Sequence, residues 1–303
     1  MGARSLAPLA DRRRIIALAT AGGCALGVVA VGVLGLAIQA THDRDAAIMH
    51  GFTGLAPERL YEQIRVIAMI VDPVPYACMG LACIGVAIAR RRTWRALAVG
   101  VVLVGSGATT QILKHLLAQP RYAAWLYGGQ VDGASWPSGH GTAVMTVALC
   151  AVLVAPPAYR AAVAFAGFCI TVTLAYATLG LTWHYPSDVV AGFLVAGLWV
   201  SLAIAWLLGV EADDPEREAL PPFGWLLAAG VGCMLVATGA VWVASDRVRI
   251  DFADRATAAA GALAIAALSL ALVLATLVGA SERGADERSR RLAAPRRRTP
   301  ARA

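Results

Sequence analysis

Lys114 is the only lysine in this 303-residue chain, all twenty-five other basic residues being arginine, and Arg121 follows seven positions later. An ammonium supplies a point charge and a guanidinium a planar fork, and both suit phosphate oxygens. Seven residues is nearly two helical turns, so the two cations are expected on one face, with Pro120 bending the chain so that both lean over one spot. Taken alone, Lys114 has two readings: it snorkels to lipid head groups, or it serves a site. Pro137-Ser138-Gly139-His140 opens the next apolar run, where the unpaired N–H groups and positive dipole end of a helix favour an anion. Gly139 lets the backbone come close, and Ser138 caps the helix or donates to an oxygen. His184 and Asp188 stand four apart. Either Asp188 simply caps a helix, or it fixes the tautomer of His184, raises its basicity and frees the other nitrogen for attack. His140, otherwise a solvated interfacial histidine, can then protonate a leaving oxygen. Together these groups suit the binding and hydrolysis of a phosphate ester.

The elements that must position them are membrane helices. With 59% hydrophobic residues, 15% charged residues and a mean hydropathy of +0.67, the chain has more apolar surface than one soluble domain can bury. Eight stretches reach a membrane-crossing pattern: 15–40, 66–89, 96–117, 140–156, 160–181, 188–209, 223–244 and 257–280. The fold expected is an all-α polytopic bundle, with a six-span core over 15–209 and an added transmembrane hairpin over 223–280. A basic N-terminus (1–14), an acidic loop (210–222) and a basic, disordered tail (281–303) complete the organisation. The run from Ile15 to Ala40 is too long for a cleaved leader and is read as a retained span. Arginine is concentrated beside alternate span ends, which places both termini in the cytoplasm and the Lys114, His140 and His184 segments on the extracytoplasmic side of a plasma (inner) membrane.

All six cysteines lie in apolar runs, so neither a disulfide framework nor a thiolate metal site is indicated. No metal or other cofactor is expected. The arginine-rich tail is read as an anchor for anionic lipid head groups rather than a nucleic-acid arm.

The residues resemble the type 2 phosphatidic acid phosphatase (PAP2) family, whose signature reads Lys-x6-Arg-Pro, Pro-Ser-Gly-His and Ser-Arg-x5-His-x3-Asp. Lys114 to Arg121, Pro137 to His140 and His184 to Asp188 carry the likeness, which extends over roughly residues 95 to 205. The resemblance implies a six-helix core with an extracytoplasmic pocket and metal-independent hydrolysis of a phosphomonoester or pyrophosphate. It also implies His184 as nucleophile, His140 as acid, and Lys114, Arg121, Ser138 and Gly139 as phosphate ligands. The expected substrate is a lipid phosphate such as a polyprenyl phosphate or pyrophosphate, or phosphatidic acid. The alternatives are a lipid phosphotransferase and a non-catalytic lipid-phosphate binder or transporter.

Two departures stand out. Tyr122 replaces the proline after Arg121, and Ala177-Thr178 stands where the family has Ser-Arg, removing a cationic donor worth on the order of 3 kcal/mol to a phosphoryl transition state. Thr178 is therefore a candidate accessory residue. Asp72, a carboxylate within a span and followed by Pro73, either satisfies backbone donors freed by the prolines or pairs with Lys114 or Arg121 to position them.

Overall fold

A computed structural model describes residues 7–126, 129–211 and 223–281. The basic tail, most of the acidic loop and the extreme N-terminus lie outside the described residues. Among the described residues ten α-helices make up the bundle: α1 (Ala7–Gly32), α2 (Gln39–Thr53), α3 (Tyr61–Ala68), α4 (Pro73–Ala89), α5 (Thr93–Leu116), α6 (Gly139–Val154), α7 (Pro157–Gly180), α8 (Pro186–Val210), α9 (Phe223–Arg247) and α10 (Phe252–Ser281). No strand occurs among the described residues.

Six of these helices are long and apolar enough to cross a bilayer, and a seventh span exists if α3 and α4 count as one element bent by 47°. The expected eight uniform spans are corrected in two places. The 66–89 stretch breaks at Asp72, because Pro73 cannot continue the hydrogen-bond ladder and starts a new helix instead. The 140–156 stretch becomes the 16-residue α6, about 24 Å long and short of the roughly 30 Å hydrocarbon core. One helix was not foreseen. α2 is too polar to read as a span, and the sequence leaves it without an assignment.

Proline and side-chain caps set the starts of the helices around the site. Pro73, Pro157 and Pro186 occupy the first turns of α4, α7 and α8, where a missing N–H leaves no bond unmade. Ser138 caps α6 by accepting from the Gly141 N–H at 3.0 Å. α8 runs through the middle of the bundle, packed by α1, α5, α6 and α10. The start of α6 crosses it where Gly192 has no side chain: a Cβ there would lie 2.7 Å from the Ser138 carbonyl oxygen. That close approach brings the first turn of α6 against the first turn of α8.

The α9–α10 hairpin is joined to the rest of the bundle. Tyr176 Oη donates to the Ala262 carbonyl at 2.7 Å, and Arg160 donates to that of Ala280 at 3.0 Å. α2 lies close against it, since a Cβ on Gly54 would meet the Ala244 carbonyl oxygen at 2.0 Å and one on Gly51 would meet Ala258 at 2.3 Å. The hairpin thus fixes α2, which in turn faces the functional residues. At the far end of the bundle, Arg95 at the start of α5 pairs with Glu211 at the end of α8 at 3.2 Å, both buried.

Candidate functional site

Lys114 lies in the last turn of α5, and its Nζ sits over the start of α6, 3.7 Å from where a Gly139 Cβ would be. A Cβ at 139 would meet the amine only at ordinary contact distance, so the amine lies close to the opening turn. The N–H groups of Gly139 and His140 head that turn and have no partner within the helix. Lys114, Gly139 and His140 line a cavity of about 330 Å³ that runs along α5 from Lys114 past Gln111 to Gly107, between α5, α6 and the start of α4. Seven helical residues carry it about 10 Å along the span.

His140, in the wall of this cavity, meets a second imidazole. His140 Nδ1 and His184 Nε2 are 3.4 Å apart. Each ring has its own carboxylate on the other nitrogen: His184 Nδ1 is 3.5 Å from Asp188 Oδ2, and His140 Nε2 is 3.3 Å from Asp72 Oδ1. The two carboxylates favour one tautomer of each ring. The Asp188 charge, 3.5 Å away without a closed hydrogen bond, favours the proton of His184 on Nδ1 and leaves Nε2 with a lone pair. Asp72 accepts from His140 Nε2–H, so a second proton on His140 occupies Nδ1, directed at His184.

Asp72 therefore has a different partner from the lysine or arginine expected. The helix break at Pro73 turns it toward His140, where it stands as the residue preceding the first turn of α4.

The helical route by which Lys114 and Arg121 were expected to converge is corrected. α5 ends at Leu116, and Arg121 lies beyond Pro120 in an irregular segment, so helical spacing does not relate the two. That segment is pinned by Gln119, whose N–H donates to Gly133 at 3.1 Å and whose side chain donates to Leu36 at 2.8 Å. The Arg121 guanidinium is buried and turned to protein partners: Asp188 Oδ1 at 2.6 Å, Ser135 Oγ at 2.6 Å and Ser187 Oγ at 3.4 Å. Asp45 Oδ2 lies 3.9 Å away, and the guanidinium stacks 4.3 Å from the Tyr185 ring centroid.

Asp188 is fully buried. It accepts from Arg121 on Oδ1 and from the Tyr185 N–H at 3.0 Å on Oδ2, the latter closing the first turn of α8. Its backbone carbonyl accepts from the Ser138 N–H at 2.8 Å, tying the two histidine segments together. Ser138 is buried and serves as the cap of α6. Thr178 is buried in α7; its hydroxyl donates to the Ala175 carbonyl at 2.9 Å and its own carbonyl accepts from the Trp183 N–H at 3.0 Å. It closes the end of α7 and supplies nothing in place of the absent arginine.

Two residues of the site escaped the sequence reading. Asp45, on α2, accepts from the Ser187 N–H at 2.9 Å and from Ser187 Oγ at 2.5 Å. Ser187 itself stands inside the His184 to Asp188 interval. The only signal in the sequence was that interval, whose half-buried serine needs a partner.

Residues 95–211 match the PAP2 superfamily model, a family whose members are phosphatases acting on phosphorylated substrates. Comparison with curated proteins and with solved structures gives no match. The match begins at the first turn of α5, ends at the close of α8, and contains Lys114, Arg121, Ser138, Gly139, His140, His184 and Asp188. The chain is thus a multi-pass helical protein whose residues 95–211 are similar to the PAP2 superfamily.

Proposed function

We propose that this protein is a membrane lipid phosphatase, hydrolysing a phosphomonoester or pyrophosphate of a lipid through a phosphohistidine on His184. The observation that carries this reading is the pair of facing imidazoles, each backed by a carboxylate, beside an ammonium set over a helix N-terminus.

The phosphate binds in the cavity against Lys114 Nζ and the N–H groups of Gly139 and His140, where a fixed positive field meets the charge that grows on the phosphoryl oxygens. His184 Nε2 attacks phosphorus; the N–P bond forms as the ester P–O bond breaks, and the proton on His140 Nδ1 passes to the leaving oxygen. Water then attacks the phosphohistidine, giving its proton to His140 as the N–P bond breaks and inorganic phosphate leaves. The resting 3.4 Å contact leaves no room for a phosphoryl group between the rings, so substrate must part them. His140 is the ring that moves: its side chain is 24% exposed and borders the cavity, whereas that of His184 is 7% exposed and tied to Asp188.

A lipid fits better than a soluble ester because the cavity extends along α5 into the apolar part of the bundle, past Val71, Pro73 and Ala143. The tail remains in the membrane while the phosphate meets Lys114. Candidate substrates are polyprenyl phosphates and pyrophosphates and phosphatidic acid. The arginine distribution supports an extracytoplasmic site with both termini in the cytoplasm.

Asp72 orients His140 in this scheme. Asp72→Asn is expected to lower turnover by about a hundredfold while leaving the affinity for a lipid phosphate close to wild type. Steady-state kinetics with a binding assay checks this, and unchanged turnover would remove Asp72 from the mechanism.

The decisive assay is phosphate release from a panel of lipid phosphates by the purified chain, with and without EDTA, and with His184→Ala as the blank. Release from at least one lipid that persists in EDTA and vanishes in the blank is the expected result. Transfer of the phosphoryl group to an added alcohol in place of water would make the protein a phosphotransferase. Binding without release, undiminished by His184→Ala, would make it a binder, the reading that the absent arginine at position 178 favours. Activity abolished by EDTA and restored only by a divalent ion would overturn the metal-independent chemistry.

A further inference from the structure

Asp45 belongs to neither histidine motif and lies outside the matched domain, yet it touches both neighbours of the aspartate behind His184. It accepts two hydrogen bonds from Ser187, the residue before Asp188, and its Oδ2 is 3.9 Å from the guanidinium that binds Asp188. We infer that Asp45 is a positioning residue for the phosphoryl-transfer site, holding Ser187 in place and dividing the attraction of Arg121 so that Asp188 stays directed at His184 Nδ1. The inference rests on the reading of His184 as nucleophile.

The electrostatics supply the reason. One guanidinium stands between two carboxylates, one from α2 and one from α8, so the ionised cluster carries a net negative charge. That charge stabilises the positive imidazole ring formed when Nε2 bonds to phosphorus and Nδ1 keeps its proton. Without the Asp45 charge, Arg121 neutralises Asp188 alone. The hold on the Nδ1–H tautomer then weakens, and with it the nucleophilicity of Nε2.

The groups facing Asp45 are Arg121 from the segment after α5, Ser187 and Asp188 from α8, and Tyr185 just before α8. Burial, assisted by the Asp188 charge, pushes the Asp45 carboxyl up to about 7, against the opposing pull of Ser187 and Arg121. A carboxyl raised in this way adds stability that is complete below the unfolded value of about 4 and is lost as pH rises through about 7. Above that pH, ionised Asp45 is a burden on the fold that the site retains.

Asp45→Asn separates the charge from the shape, since an amide still accepts from the Ser187 N–H and can reach its hydroxyl. At pH 8 the variant is expected to unfold at the same temperature as wild type or higher, while kcat falls about tenfold and KM stays within about twofold. The wild-type kcat profile should lose activity as pH falls through about 7, and Asp45→Asn should lack that limb. Asp45→Glu, which restores the charge, should recover part of kcat. In 15N-histidine spectra of the resting protein, Asp45→Asn should reduce the His184 population protonated at Nδ1.

Wild-type kcat and pH profile in Asp45→Asn, with an unchanged His184 tautomer, would overturn the inference. So would parallel loss of stability and activity with no change in pH profile or tautomer, which would make Asp45 structural. A wild-type protein that releases no phosphate would instead defeat the reading of the site, and the tautomer measurement would still decide whether Asp45 sets the state of His184.

Discussion

His184→Ala is expected to reduce turnover by at least about three orders of magnitude, on the order of 4 kcal/mol of transition-state stabilisation, with little change in lipid-phosphate affinity. Affinity survives because Lys114 and the first turn of α6 supply the positive field, and neither depends on the His184 ring. Rapid-quench labelling with a 32P-labelled substrate gives the direct check. Wild type should trap an alkali-stable, acid-labile phosphoimidazole, and His184→Ala should trap none. His140→Ala supplies the contrast: with an ester whose leaving group needs no protonation it should still label, whereas with a lipid phosphate it should be nearly inactive. Labelling of His184→Ala at the wild-type level would place the nucleophile elsewhere and end the proposed mechanism.

Asp188→Asn carries the second large effect. An asparagine has one acceptor where the carboxylate has two, while Arg121 and the Tyr185 N–H both donate and His184 Nδ1 approaches within 3.5 Å. With its oxygen toward Arg121, the amide presents NH2 to the Tyr185 N–H and to Nδ1. His184 then takes the tautomer with hydrogen on Nε2, and the attacking lone pair disappears. Turnover should fall by roughly 10³ to 10⁴, as when the orienting aspartate of a hydrolase triad is amidated. Because Asp188 is fully buried against Arg121, removing its charge should also destabilise the fold by about 3 kcal/mol. Thermal unfolding in detergent measures that loss, and the two effects separate: Asp188→Asn lowers both rate and stability, whereas Asp45→Asn lowers rate alone. Near wild-type turnover in Asp188→Asn would mean that the carboxylate only caps α8.

The order of the chemistry was legible along the chain because each motif is local. Ser138-Gly139-His140 starts a helix, and Asp188 caps the helix that follows His184; both are properties of a few adjacent residues. The membrane spans were legible for the same reason, as runs of apolar residues, and the structure departs from the expected bundle where Pro73 breaks one run, where α6 is too short and where the polar α2 is added. The path of the chain to Arg121 was not legible, because it was inferred from helical spacing and the helix had already ended at Leu116.

Sequence by itself determined which groups are available: one ammonium, two histidines and the aspartate one turn beyond the second of them, each tied to a helix end by short-range backbone rules. Tertiary structure alone decided how they are paired. Asp72 turned to His140 because the proline break redirects it, and Arg121 went to Asp188 because that buried carboxylate requires a countercharge. Asp45 entered the site on a polar helix held by the hairpin, from a point 142 residues before Ser187 in the chain. Partners so far apart leave no periodic trace, because their energy comes from mutual burial of charge, which exists only once the helices have packed.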